Sequence, residues 1–96
     1  MSGITVEIIN KKGLHARAAA KFVKAASAHE AQVKVIKLGQ DGEGDSPQVG
    51  GASILGLMML GADPGSKLQI SAEGKESQAA LEAIKTLVEG RFGETE

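Results

Sequence analysis

The chain has 96 residues, of which 42% are hydrophobic and 24% are charged, and its formal net charge is -1. This length and composition indicate one globular domain over residues 1–96 and exclude a second domain or a disordered chain. The balanced charge and the two aromatic residues argue against nucleic-acid binding, and the lack of cysteine excludes disulfides and thiolate chemistry.

The N-terminal half predicts a strand, a helix and a second strand. In residues 4–9, ITVEII, apolar and polar residues alternate with the period of a half-buried strand. The turn-like NKKG precedes an alanine-rich helix over residues 16–28, which is expected to open at His15. Its buried face is expected to comprise Ala19, Phe22, Val23 and Ala26. Residues 33–38, VKVIKL, are rich in β-branched residues interrupted by lysines and predict the second strand.

A glycine-rich loop and a short apolar helix are predicted next. Residues 39–51 contain five glycines and a proline, which favours a mobile loop with a short edge strand around Gln48 and Val49. Ser53 is a plausible N-cap for the apolar run that follows, and Gly61 is placed to end that helix.

The C-terminal part predicts a strand and a long helix. Residues 67–72 alternate as a strand, and the helix that follows ends near Gly90. Its buried stripe is expected to comprise Ala80, Leu81, Ile84, Leu87 and Val88. Strands with one apolar face need helices over one side of their sheet, which predicts an α+β open-faced sandwich. Other split βαβ arrangements of this size fit the same order of elements.

His15 and Arg17 form the candidate site, at the start of the first helix. The N–H groups there lack intrahelical acceptors and lie at the positive end of the helix dipole, so the place favours anions. A ring nitrogen of His15 could act as a nucleophile, and the guanidinium of Arg17 could neutralise a phosphoryl group. The short pattern His-x-Arg alone also fits a histidine that merely caps the helix beside a solvated arginine.

The short helix carries more apolar residues than it can bury. These are Ile54, Leu55, Leu57, Met58, Met59 and Leu60. Some of them are expected to stay exposed as a docking surface, in which flexible methionines suit several partners. Lys21 and Lys24 could border this surface for acidic partners, or be ordinary solvated lysines. The alternative for the apolar residues is that all six belong to the core.

No metal site is predicted. Asp41, Glu43 and Asp45 alternate with glycine in the loop, but the ligand order of a calcium loop is absent and solvated charges are expected. His29 has no partner at ligand spacing and is given no catalytic role.

Two separated motifs, GLHARAAAKFV and ASILGLMMLGA, resemble the HPr family, the histidine-containing phosphocarrier proteins of the phosphoenolpyruvate-dependent phosphotransferase system. The resemblance extends over nearly the whole chain. It implies an HPr-like open-faced β-sandwich in the order βαββαβα, with a four-stranded antiparallel sheet covered on one face by three helices.

The resemblance also implies roles for individual residues. His15 would accept a phosphoryl group from Enzyme I on Nδ1 and pass it to an EIIA-type protein, and Arg17 would offset its charge. Ser53 matches the regulatory serine that HPr kinase/phosphorylase modifies in some bacteria. The partner-binding surface would comprise Ala16, Arg17, Ala20, Lys21, Lys24, Ile54, Leu55, Met58 and Met59.

The implied protein is a relay and not an enzyme. It would be a cytoplasmic monomer without cofactor or metal, with no nucleic-acid partner and no membrane insertion. Two departures from the family pattern are Ala18, where many members have proline, and the length of the loop over residues 39–51. They leave open whether the chain serves sugar transport or the nitrogen-related branch.

Two readings from other classes stay open beside the relay. One is a small regulatory domain of split βαβ type that binds an anionic metabolite at the helix start. The other is an interaction module that uses only its Met-rich helix.

Overall fold

Three helices cover one face of a four-stranded antiparallel sheet with strand order β1-β4-β2-β3. The structure, a computed structural model, describes residues 2–39, 42, 44 and 46–95. Its elements in chain order are β1 (Ser2–Glu7), α1 (Ala16–Ser27), β2 (Gln32–Leu38), β3 (Val49–Gly50), α2 (Ile54–Met59), β4 (Lys67–Glu73) and α3 (Ser77–Glu89). A 3-10 turn, Arg91–Gly93, follows α3. The α+β open-faced sandwich and its order of elements are confirmed.

The element boundaries differ slightly from those predicted. β1 starts earlier and ends at Glu7, so that Ile8 and Ile9 lie beyond the strand. Ile8 is nevertheless fully buried in the core, and its N–H donates to the carbonyl of Ser66 at 2.8 Å, just before β4. The short edge strand β3 pairs with Lys34 and Val35 of β2.

The core lies between the inner face of the sheet and the helices. Its sheet side includes Val6, Val33, Val35, Leu68, Ile70 and Ala72, and its helix side includes Ala18, Ala19, Phe22, Ala26, Ala80, Leu81, Ile84 and Val88. The predicted face of α1 is rotated slightly, since Ala18 is buried and Val23 only partly so. Leu87 of the predicted α3 stripe is also only partly buried. Phe22 alone contributes about 2 to 3 kcal/mol through its burial.

The loop over residues 39–51 is joined to β2 where the structure describes it. The N–H of Lys37 donates to Ser46 Oγ at 2.9 Å, and Gly44 forms an isolated bridge with Leu38. The predicted solvated carboxylates Asp41, Glu43 and Asp45 lie outside the described residues. No helix within the described ranges is long and apolar enough to span a bilayer.

Gly13 sets the direction in which the chain enters α1. Its φ is +68°, and a Cβ there would lie 2.5 Å from the carbonyl oxygen of Ala62. The neighbouring Leu14 N–H donates to that same oxygen at 3.0 Å. Only glycine fits this turn without strain, and the turn delivers His15 to the first position before the helix.

Candidate functional site

His15 caps the N-terminus of α1. Its backbone is extended, with φ -77° and ψ 180°, and its carbonyl accepts the N–H of Ala19 at 2.8 Å. Its Nδ1 accepts the backbone N–H of Arg17 at 3.3 Å, as an N-cap side chain does. The predicted helix start is therefore confirmed, and this nitrogen faces the unpaired N–H groups of the first turn.

The other ring nitrogen of His15 contacts a carboxylate that the sequence did not single out. Nε2 lies in very short hydrogen-bond contact with Oε2 of Glu94. The second oxygen of Glu94, Oε1, accepts from Asn10 Nδ2 at 3.0 Å. The same amide nitrogen donates to the carbonyl of Gly13 at 2.8 Å, and Asn10 is fully buried. Asn10 thus links Glu94 to the turn that precedes the helix.

These contacts fix the proton of the neutral His15 ring on Nε2. Nδ1 accepts an N–H, so it carries no proton in this arrangement. A neutral imidazole must hold one proton, which leaves Nε2 as the donor to the acceptor-only carboxylate of Glu94. The lone pair available for bond formation is therefore that of Nδ1.

Glu94 is ionised under ordinary conditions. The hydrogen bond from His15 is the largest cause that holds the pKa of this carboxyl below its ordinary value of 4.5, and the hydrogen bond from Asn10 is the second. Attraction to the charge of Lys12 acts in the same direction. A carboxylate side chain that is 18% exposed thus lies against an imidazole that is 27% exposed.

The turn after α3 brings Glu94 to the site. Arg91, Phe92 and Gly93 have φ values of 57°, 54° and 77°, three consecutive left-handed residues of which two are not glycine. Phe92 is fully buried in the core, and its carbonyl accepts from Lys21 Nζ at 2.5 Å. Left-handed conformations cost free energy at residues with a Cβ, so the packing of Phe92 must hold the turn in place.

This part of the site was missed because its residues lie 79 positions apart in the chain. Glu94 stands in the polar tail RFGETE, which has the composition of a solvated terminus. The available signal was Phe92, one of only two aromatic residues, which stands between Arg91 and Gly93 where no apolar run continues. An isolated aromatic there indicates that the tail is anchored on the core.

A cleft of about 360 Å³ beside Glu94 is lined by positive side chains. Its lining comprises Lys11, Lys12, Arg17, Lys21, Gly93, Glu94 and Thr95. Arg17 is exposed, so its guanidinium can reach an anion at the helix start. Lys21 is not simply a solvated lysine, since it is half-buried and bonded to the C-terminal turn. Lys24 is exposed.

The short helix α2 leaves most of its apolar side chains in solvent. Ile54 and Met58 are each 42% exposed, Leu55 69% and Met59 77%, while Leu57 and Leu60 are buried. The alternative that all six are core residues is therefore wrong. Ser53 caps this helix, because its Oγ accepts the N–H of Gly56 at 3.0 Å.

The remaining predicted surface residues lie on the exterior of α1. Ala16 and Ala20 are exposed, and α2 packs against this helix. Ile9, which follows the buried Ile8, is also 40% exposed. No group of three or more potential metal ligands occurs among the residues that the structure describes.

Comparison with known proteins identifies the family of the chain. Residues 3–90 match the family model described as the PTS HPr component phosphorylation site. The chain is 43% identical to the phosphocarrier protein HPr of Pseudomonas aeruginosa over 96 residues, which cover the whole of both chains. It is 39% identical to the phosphocarrier protein NPr of Shewanella violacea over 89 residues, 93% of this chain and 90% of that protein.

A solved structure shows the same fold. The crystal structure of HPr-C-His from Thermoanaerobacter tengcongensis superposes with a TM-score of 0.86 at 42% identity, covering 100% of both chains. The open-faced sandwich is therefore a fold that this chain shares with a solved phosphocarrier protein. The chain belongs to the HPr family of the phosphotransferase system, as the two sequence motifs predicted.

Proposed function

We propose that the chain relays a phosphoryl group on His15, which it takes from Enzyme I and hands to an EIIA-type protein. The observation that carries this proposal is the position of His15 Nδ1, which faces the Arg17 N–H at the start of α1. A relay needs a nucleophile whose product, a phosphoryl dianion, is stabilised where it forms. The start of α1 supplies the nucleophilic ring nitrogen and the N–H groups that would stabilise the phosphoryl dianion.

Arg17 would offset the charge of the phosphoryl group as it passes between two proteins. The 3.3 Å contact from its N–H to Nδ1 is long for a hydrogen bond, so phosphoryl oxygens can replace the ring as acceptor with little loss. Its exposed guanidinium lines the positive cleft and can follow the group toward a partner. Transfer through a loose transition state depends on such positioning and charge balance.

The partners would dock on the surface formed by the exterior of α1 and the exposed side of α2. Its members are Ala16, Arg17, Ala20, Lys21, Lys24, Ile54, Leu55, Met58 and Met59. The exposed apolar side chains of α2 supply adaptable contact area, and the lysines favour partners with acidic rims. Lys21 would act at the edge of this surface, because its Nζ is already bonded to Phe92.

Ser53 would serve as a regulatory phosphorylation site in a host that has HPr kinase/phosphorylase. Its hydroxyl is exposed at the start of α2, directly before the exposed Ile54 and Leu55. A phosphate there would add a dianion beside an apolar docking surface and weaken the binding of partners that rely on it. The fold would tolerate it, because negative charge is favourable at a helix start.

The chain would work as a cytoplasmic monomer without cofactor, in either the sugar-transport or the nitrogen-related branch. Relatives named HPr and NPr both match it over most of their length. The acceptor protein that takes the phosphoryl group from the phosphorylated chain fastest would therefore identify the branch.

Incubation with phosphoenolpyruvate and Enzyme I tests the relay directly. The chain should gain an acid-labile, alkali-stable phosphate, which H15A should abolish. His29→Ala is the matched control, because His29 is bonded to the carbonyl of Ala25 in the last turn of α1 and should not be needed. Labelling that survives in H15A, or no labelling of the wild-type chain, would overturn the proposal.

A further inference from the structure

We propose that Glu94 is a positioning residue for phosphotransfer, which holds the His15 proton on Nε2 and balances the charge of the phosphorylated ring. The inference rests on the proposed relay function and adds a residue from the C-terminal turn to it. Three observations support it: the hydrogen-bond donors around Glu94, the buried residues that hold its carboxylate in place and the positive charges nearby. The proton balance of the transfer supports it as well.

The donor pattern around Glu94 fits an ionised carboxylate and no other side chain of this shape. Two N–H donors converge on it, Nε2 of His15 on one oxygen and Nδ2 of Asn10 on the other. A carboxylate offers two acceptors, whereas a glutamine offers one acceptor and one donor. Glutamine at this position would therefore point its own N–H₂ at one of the two donors.

The carboxylate is held from behind by buried structure. The amide of Asn10 is fixed in orientation, because both of its neighbours, the Gly13 carbonyl and Glu94, are acceptors. On the other side, buried Phe92 anchors the left-handed turn from which Glu94 projects. Strained backbone of this kind persists where the surroundings determine it, and it concentrates at functional sites.

The charges around the contact are mostly positive. Lys12 attracts the carboxylate, and Lys11, Arg17 and Lys21 line the same cleft. These positive side chains keep the carboxylate of Glu94 ionised, so it is available to pair with a positively charged ring. Because it lies on the Nε2 side, it leaves the Nδ1 side to the incoming phosphoryl group.

The transfer balances without loss of a proton when Nε2 carries it. The Nδ1 lone pair forms the N–P bond while the bond from phosphorus to the donor's leaving group breaks, and that electron pair stays with the donor. The ring becomes a phosphorylated imidazolium that keeps its Nε2–H, opposite the Glu94 carboxylate. In the onward step the N–P bond breaks, its electron pair returns to Nδ1, and the ring is neutral again.

The test compares E94Q with the wild type and with E89Q. Glu89 is an exposed carboxylate at the end of α3, so E89Q makes the same chemical change outside the cleft. Nitrogen-15 NMR of the His15 ring, at a pH where it is neutral, measures which nitrogen carries the proton. Rapid-quench kinetics with phosphorylated Enzyme I measure the rate of phosphate uptake.

In E94Q the fraction of rings protonated on Nδ1 should rise severalfold and phosphate uptake should slow roughly tenfold, as expected when an outer partner of a functional histidine is lost. E89Q should match the wild type in both measurements. E94A, which removes the side chain beyond Cβ, should reproduce the tautomer change if the effect belongs to the carboxylate rather than to a misplaced amide.

Two results would overturn the inference, and they distinguish a failure of the role of Glu94 from a failure of the relay itself. If the wild-type chain takes up phosphate and E94Q and E94A do so equally fast with an unchanged tautomer, Glu94 has no positioning role and the relay stands. If the wild-type chain takes up no phosphate, the relay itself fails, and the role of Glu94 in it fails too.

Discussion

The two sides of the His15 ring are built in different ways. The Nδ1 side is local, since Gly13, His15 and Arg17 form one turn and one helix start. The Nε2 side depends on Glu94, which is 79 residues away and is brought there by a turn with two left-handed residues that are not glycine. In the proposed relay, the local side would supply the nucleophile and the anion-binding groups. The distant side would determine which nitrogen is the nucleophile.

Asn10 joins the two sides, so Asn10→Asp should have the largest effect. The change replaces a buried donor with a charged acceptor that faces the Gly13 carbonyl and the Glu94 carboxylate. An unpaired charge in this fully buried position should lower the free energy of unfolding by about 4 kcal/mol near neutral pH. Urea denaturation monitored by circular dichroism measures the loss.

Gln69→Glu is the matched control for Asn10→Asp. It makes the same amide-to-carboxylate change at an exposed position of β4 and should alter stability by less than about 0.5 kcal/mol. Equal stabilities for the two variants would show that Asn10 contributes nothing by joining Glu94 to the turn.

The local side can be broken separately with Gly13→Ala. The substitution should cost about 3 kcal/mol, because it combines a positive φ with a Cβ that would lie 2.5 Å from the Ala62 carbonyl oxygen. Gly61 has nearly the same φ, +63°, but open space where its Cβ would go. Gly61→Ala should therefore cost only about 1 kcal/mol.

The difference in the free energy of unfolding between Gly13→Ala and Gly61→Ala measures the cost of the contact with Ala62 separately from the cost of the positive φ. Thermal and urea unfolding of both chains measure it. Gly13→Ala should also disturb the His15 ring, since Gly13 directly precedes the residues that lead into α1. Two variants of equal stability would mean that the chain at Gly13 relaxes away from Ala62, and that this turn does not fix the helix start.

The comparison also shows how much could be predicted from the sequence. Helix starts and apolar faces depend on residues that are near one another in the chain. Their spacing therefore sufficed to infer the helix starts at His15 and Ser53 and the exposed apolar side chains of α2. The family resemblance then supplied the roles. Glu94 and the bond of Lys21 to Phe92 depend on how the last turn packs after α3 has docked. The isolated Phe92 indicates that the tail is anchored on the core, but no local pattern shows which side chain the turn brings to His15.

The smallest expected effect is a dependence of stability on pH that comes from the distant side. The folded chain holds the pKa of Glu94 below 4.5, through His15, Asn10 and the charge of Lys12, so the unfolded chain binds protons more readily on acidification. This stabilisation is complete when the pH lies above 4.5, the ordinary pKa of the carboxyl. It is lost as the pH falls through the lowered pKa of Glu94 in the folded chain. Wild type should therefore lose more stability than E94Q between about pH 6 and about pH 3.

Urea midpoints measured across this range test the pH effect, with E89Q as the control for loss of one carboxylate. E89Q should follow the wild-type profile, and E94Q should have the shallower acid limb. Such a result would show that the contact on Nε2 is formed in solution and contributes to folding. Parallel acid limbs for all three chains would mean that Glu94 is not held against His15, and that the local side alone defines the site.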